Sequence, residues 1–252
     1  MIALIDSGLG AINVLLECLK RCKQDYVCLI DNKNAPYGNK PIGRLKQLFF
    51  KNVKFILSEK DVNLLVVACN TLSSVLSPLD LEKLPVKTIK TNPPIYELSE
   101  KELNKNIIIF ATKNTINNNK YVKYYLKKYK NIKYLFIKNL PKIIDEKSNN
   151  KIIIKNILKK HLLNKRYKNT KIVVLGCTHF TLIKDQIIDI MGKVKVLDSA
   201  ITTANYVQKF SVKKDAFQIK IMLTKRDDNF EKTITKKILS ESNSAKIDFV
   251  YV

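Results

Sequence analysis

Two short stretches, Val66-Val67-Ala68-Cys69-Asn70-Thr71 and Val174-Leu175-Gly176-Cys177-Thr178-His179, each end an apolar run on a thiol flanked by groups that hydrogen-bond or carry protons. A thiol is a weak acid that becomes a base and nucleophile once ionised. Two of them on opposite faces of one carbon could remove a proton from one side and deliver one to the other. That exchange inverts a stereocentre, provided one sulfur starts as thiolate and the other as thiol. Asp6 could manage proton transfer near Cys69, and His179 could do so near Cys177. The hydroxyls and amides of Ser7, Asn70, Thr71, Thr115 and Thr178 suit the fixing of carboxylates and an ammonium group.

Plainer readings compete with each of these residues taken singly. A lone cysteine at a strand end is usually a small buried residue, and Cys18, Cys22 and Cys28 keep that reading. Cys18 and Cys22 lie four apart on a helical stretch but lack the further ligands a zinc site needs. His161 reads as a helix-face residue, and Asp6 alone could be a strand-end cap. Gly8-Leu9-Gly10 starts a dinucleotide-type loop without completing G-x-G-x-x-G.

The elements that must position these groups are legible from apolar patterning. Buried parallel strands are expected at 2–5, 26–30, 64–68, 86–89, 107–110, 134–137 and 172–175, with more strand at 217–223 and 246–252. Helices are expected at 11–21, 42–58, 117–129, 151–163 and 180–191. Alternation of this kind predicts an α/β fold with mainly parallel sheets flanked by helices, where ligands sit beyond the carboxyl ends of strands. Polar loops follow four strands, at Asp6-Ser7-Gly8, Cys69-Asn70-Thr71, Ala111-Thr112-Lys113-Asn114-Thr115 and Cys177-Thr178-His179. Asp6 precedes Cys69 by nearly the interval at which Thr112 precedes Cys177, which suggests an internal repeat. Two pseudo-symmetric lobes are therefore expected, with the active site in the cleft between them. The boundary falls near Asn92-Pro93-Pro94, giving one lobe of residues 1–93 plus 204–252 and another of residues 94–203.

Composition sets the class. The 252 residues allow one large or two modest domains, and no apolar run is long enough to span a bilayer. The start MIALIDSG lacks the basic region of a signal peptide, and five cysteines without framework spacing read as reduced thiols. A cytoplasmic protein with no membrane partner is expected. The net charge of +24 could mean a polyanion partner, yet lysine is spread along the whole chain and no nucleic-acid-binding motif accompanies it. Nucleic-acid binding is not expected. A basic field would also draw in a small anionic substrate.

Six segments in order, IALIDSGLGAINVL, APYGNK, VVACNTLSS, FATKNTINNNKY, VLGCTHFTLI and VLDSAITTA, resemble the glutamate racemase family and cover most of the chain. The resemblance implies a cofactor-independent isomerase that interconverts L- and D-glutamate for peptidoglycan, with no metal, nucleotide or pyridoxal phosphate. It implies that Cys69 and Cys177 are the paired proton donors and acceptors. It assigns substrate binding to Asp6-Ser7, Tyr37-Gly38, Asn70-Thr71 and Thr178-His179, with Thr115 added. His179 stands where related aspartate racemases typically carry Glu, which tilts substrate choice to glutamate. The family's acid near His179 is out of step here: LPKIIDEK offers Asp145 or Glu146, and Glu146 is preferred. Ala11, Ala200, Asn118 and the Thr91-Asn92-Pro93 segment depart from the family pattern. A homodimer is expected. The alternatives are a racemase of aspartate or another amino acid, and a basic homologue turned into a binding protein.

Overall fold

Ten strands build two sheets in the computed structural model, which describes residues 1–59, 61–147, 150–242 and 245–252. They are β1 (Ile2–Asp6), β2 (Tyr26–Ile30), β3 (Leu64–Val67), β4 (Lys87–Lys90), β5 (Ile107–Ala111), β6 (Ile132–Leu135), β7 (Ile172–Gly176), β8 (Lys195–Asp198), β9 (Gln218–Leu223) and β10 (Lys246–Tyr251). The six-stranded sheet runs β10-β9-β2-β1-β3-β4 and the four-stranded sheet runs β6-β5-β7-β8. Every pairing is parallel. The order β2-β1-β3-β4 is repeated as β6-β5-β7-β8, so β1 corresponds to β5 and β3 to β7.

The central strands are apolar on both sides because both sides are covered. Along β1, Ile2 and Leu4 face a core that includes Ile12, Leu15, Ala204 and Ile234. Ala3 and Ile5 face the opposite core, with Leu45, Phe49 and Val53. In β5, Ile108 and Phe110 pack on one side and Ile107 and Ile109 on the other. The helix Ile42–Ile56 buries Leu45, Leu48, Phe49, Asn52, Val53 and Ile56, the spacing of a single helical face.

Differences from the sequence expectation have local causes. The stretch expected as one helix over 117–129 is two, Lys113–Asn118 and Lys120–Lys128. Asn119 sits between them in extended conformation and accepts hydrogen bonds from the backbone N–H groups of Tyr121 and Val122, ending one helix and capping the next. The sixth strand lies at Ile132–Leu135, two residues earlier than expected, because Ile132 and Leu135 pair along β5 and turn inward. The helix expected at 180–191 opens as a tight 3₁₀ turn, Thr178–Ile183, before the α-helix Lys184–Met191. Neither β8 nor the helices Leu140–Lys147 and Ser199–Val207 were anticipated. Among the described residues, no helix is long and apolar enough to cross a membrane.

Candidate active site

The loops after β1, β3, β5 and β7 converge, as carboxyl ends of parallel strands should. A small cavity is lined by Ser7, Cys69, Asn70, Thr71, Cys177, Thr178 and His179, together with Tyr37, Gly38 and Thr112. Its free volume is about 10 Å³. That is room for about one water.

On one wall stands Cys69, the residue before the short helix Asn70–Val75. Burial, and then the charge of the adjacent Asp6 carboxylate, push its thiol well above the ordinary cysteine range. Asp6 ends β1, fully buried, and its Oδ1 accepts from the Ser7 N–H at 2.7 Å. Its Oδ2 accepts from the Thr178 hydroxyl at 3.0 Å, a bond between the two cysteine-bearing halves. Burial raises the Asp6 carboxyl above its ordinary 3.8, opposed by the charge of His179 and by hydrogen bonds from Cys69, Ser7 and Thr178.

On the other wall, Cys177 Sγ lies 3.8 Å from His179 Nδ1, and His179 Nε2 lies 3.2 Å from Asp145 Oδ2. Burial works against a charged imidazole, but the Asp145 carboxylate and the Cys177 sulfur outweigh it and hold His179 well above its ordinary 6.5. Here the structure corrects the sequence reading. Asp145, not Glu146, is the acid on His179. Glu146 is exposed and reaches Lys142 at 3.7 Å, because the helix Leu140–Lys147 turns it to the outer face.

The remaining expected residues divide into lining and support. Asn70 accepts from the Ser199 hydroxyl at 3.0 Å, while its buried Nδ2 has no partner among the described residues. Thr71 Oγ1 lies 2.9 Å from Thr112 Oγ1, which lies 3.0 Å from Thr115 Oγ1. Thr112 therefore lines the cavity, and the expected Thr115 stands behind it. Tyr37 borders the cavity, and its hydroxyl donates to Asp31 at 2.6 Å. A side chain at Gly38 would crowd Thr112.

Three supporting residues were not read from the sequence. Asn13 donates to the Thr178 carbonyl at 2.7 Å, Ser199 orients Asn70, and Asp198 accepts from Thr181 at 3.0 Å to hold the turn that follows Cys177. A signal existed for Asn13, the one amide on the otherwise apolar face of GAINVLLECL. Gly8-Leu9-Gly10 also acquires a role. A Cβ on Gly8 would run into Asp145 and His179, and one on Gly10 into Thr178, Asp6 and His179. The Leu9 N–H donates to Asp145 at 3.3 Å. This loop is bare so that the histidine and its acid can pack against it.

No family model matches the chain. Curated relatives do: a glutamate racemase of Clostridium botulinum is 33% identical over 214 residues, covering 82% of each chain. One of Clostridium kluyveri is 33% identical over 221 residues, covering 84% of each. Among solved structures, glutamate racemase isoform RacE1 from Bacillus anthracis superposes with a TM-score of 0.83 at 22% identity, covering all of this chain and 97% of that one. The Francisella tularensis glutamate racemase in complex with D-glutamate gives 0.79 at 22% identity, covering all of this chain and 96% of that one.

Proposed function

The chain belongs to the glutamate racemase family, and from that membership we propose a route by which it interconverts L- and D-glutamate, with Cys69 and Cys177 as its two proton-transfer groups. The observation that carries this reading is that both thiols border one cavity, each beside its own proton-managing partner, Asp6 for Cys69 and His179 for Cys177. In one direction the sulfur of one cysteine, as thiolate, takes the Cα proton. The other cysteine, as thiol, returns a proton to the opposite face and is left as thiolate. The reverse direction exchanges the roles, and no cofactor is consumed. His179, its proton affinity raised by Asp145, is placed to exchange a proton with Cys177 Sγ, while Asp6 is placed to do the same for Cys69.

Substrate anchoring is assigned to the polar rim. The Asn70 Nδ2, the hydroxyls of Ser7, Thr71 and Thr178, and the Tyr37-Gly38 backbone supply donors and acceptors for the carboxylates and the ammonium group. Thr115 leaves this rim and Thr112 enters it, while Asp145 takes the place beside His179 that was expected of Glu146. The two lobes are residues 1–93 with 204–252 and residues 94–203. This division is supported by the six-stranded sheet taking strands only from the first set and the four-stranded sheet only from the second. The cellular role that follows is supply of D-glutamate to peptidoglycan from the cytoplasm.

The test is incubation with L-glutamate in D₂O. D-glutamate should form with deuterium at Cα, and Cys69→Ser and Cys177→Ser should each lower turnover by roughly 10²-fold or more, the scale of losing a positioned acid or base. Unlabelled glutamate, or full activity in either variant, overturns the route. Aspartate run in parallel tests the substrate choice.

A further inference from the structure

Asp31 is a buried carboxylate that the route above does not use. It directly follows β2, and its N–H donates to the Asp6 carbonyl at 2.9 Å. None of it is exposed, and four side chains donate to it. Thr224, just after β9, reaches Oδ1 at 2.7 Å. Tyr37 and Asn52 reach Oδ2 at 2.6 and 3.1 Å, and Asn34 reaches both oxygens, at 2.9 and 3.1 Å. Burial alone would raise the carboxyl, but these donors outweigh it and hold it below its ordinary 3.8. A buried charge is tolerated only with such a set of partners, and the set in turn fixes the elements that supply it.

Those elements meet around the segment that carries Tyr37 and Gly38. The stretch between β2 and the helix Ile42–Ile56 holds only two 3₁₀ turns, Asn32–Asn34 and Tyr37–Asn39, so its own backbone pairing does little to place it. Asn34 and Tyr37 tie it to Asp31 from within, while Asn52 of the helix and Thr224 hold the carboxylate from outside. Tyr37 packs in the same apolar cluster as Cys69. The segment's far end makes neutral bonds only: Asn39 donates to Asn139 after β6 at 2.7 Å, and the Lys40 carbonyl accepts from Asn114 after β5 at 2.9 Å. Hydrogen bonds to an ionised group are the stronger kind, so the Asp31 end decides where the segment lies.

We propose that Asp31 is a positioning residue for the reaction: its carboxylate holds the Tyr37-Gly38 segment against Cys69 and so sets part of the rim that glutamate meets. The effect on glutamate rests on the function proposed above; the holding of the segment does not.

An amide at position 31 would set its NH₂ group against that of Asn34 whichever way it turned, because Asn34 reaches both oxygens. Asp31→Asn should therefore raise the KM for L- and D-glutamate by roughly tenfold, the scale of one hydrogen bond to a charged group, with a smaller fall in kcat. A merely structural loss of active protein lowers apparent kcat and leaves KM alone, so that outcome overturns the role. Thr224→Val removes one donor from outside the cavity and should shift KM the same way by less. If Asp31→Asn does not fold, Thr224→Val and Tyr37→Phe carry the test. Both act through one carboxylate, so their combined effect on KM should fall short of the product of the single effects. Unchanged KM in these variants overturns the role.

A second readout needs no substrate. Iodoacetamide should label Cys69 several times faster in Asp31→Asn, or in Tyr37→Phe with Thr224→Val, than in the parent. Cys18, in the core on the other side of the six-stranded sheet, should stay protected throughout. Faster labelling of both cysteines means general loosening and overturns the role, as does unchanged labelling of Cys69. A parent that racemises neither enantiomer, with Cys69 uncovered in the variants, sinks the function proposed above and leaves the holding of the segment intact.

Discussion

At the scale of single residues, the site is decided by helix phase as much as by residue type. Both cysteines, Asp6 and His179 could be read from the sequence because each ends or follows an unmistakable apolar strand. Asp145 and Glu146 could not be separated that way, since adjacent acids on a helix differ only in which face they occupy. The structure resolves them through their neighbours four residues back: Pro141 lines the cavity and Asp145 shares its face, whereas Lys142 faces solvent and takes Glu146 with it. Asp145→Asn is therefore expected to lower kcat by about tenfold or more, part of the roughly 10²–10⁴-fold contribution of a positioned acid–base group, since the imidazole remains but loses its partner. Glu146→Gln should stay within twofold. Asp145→Asn should also move the His179 ionisation in the pH–rate profile to lower pH, which a merely structural change would not do. A matching signature belongs in stability. His179 is raised in the fold, so its bound proton stabilises the native state below its ordinary 6.5, and that contribution is lost as pH rises through the elevated value. Thermal melts should show the parent's advantage over Asp145→Asn at pH 6 and a shrinking gap above it. A gap that widens with pH would contradict the assignment.

Between elements, what matters is how closely backbone can approach side chain. The strands of both sheets were legible because parallel strands buried on two faces leave continuous apolar runs. The short edge strand Lys195–Asp198 was not, since only Asp198 is fully buried and Lys195 is exposed. The roles of Gly8 and Gly10 were equally hidden. A glycine in a loop signals freedom, but whether that freedom serves a turn or a contact depends on partners more than a hundred residues away. Gly10 begins the helix Gly10–Leu19 directly against Thr178, Asp6 and His179, with no space for a Cβ. Gly43, in the first turn of the helix Ile42–Ile56, has nothing within 4 Å of the same atom. Opposite outcomes are expected from one substitution. Gly10→Ala should destabilise by about 1–3 kcal/mol, the range for forced overpacking, and lower turnover at least tenfold by displacing Asp6 or His179. Gly43→Ala should stabilise by about 0.4–1 kcal/mol through the entropy of the unfolded chain. Denaturant melts and initial rates on the pair decide this, and equal effects would mean that the close approach at Gly10 is not what shapes the site.

For the molecule as a whole, charge is the dominant property, and its reading changed most between sequence and structure. Lys and Arg number 46 against 22 Asp and Glu, and the scatter of lysine along the chain gave no hint of where the surplus would collect. Folding consumes acids unevenly. Lys46–Asp80, Lys195–Glu102, Lys214–Asp25 and Lys220–Glu59 pair at 2.5–2.6 Å, and the carboxylates nearest the cleft are tied to His179, Lys142 and backbone N–H groups. Two opposing salt effects follow. Exposed pairs are worth about 0–1 kcal/mol each and weaken with salt, whereas the repulsion of a +24 net charge is relieved by it. Pairs act over a few ångströms while the net charge acts across the whole surface. The Debye length falls from about 30 Å at 0.01 M to about 8 Å at 0.15 M, so added salt removes long-range repulsion before it erodes contacts. The melting temperature should consequently rise between 10 and 150 mM sodium chloride. In the Lys232→Glu, Lys236→Glu variant the rise should be smaller, because two positive charges that form no ion pair among the described residues are reversed. A melting temperature that falls over this range would show that the pairs, not the surplus, govern stability.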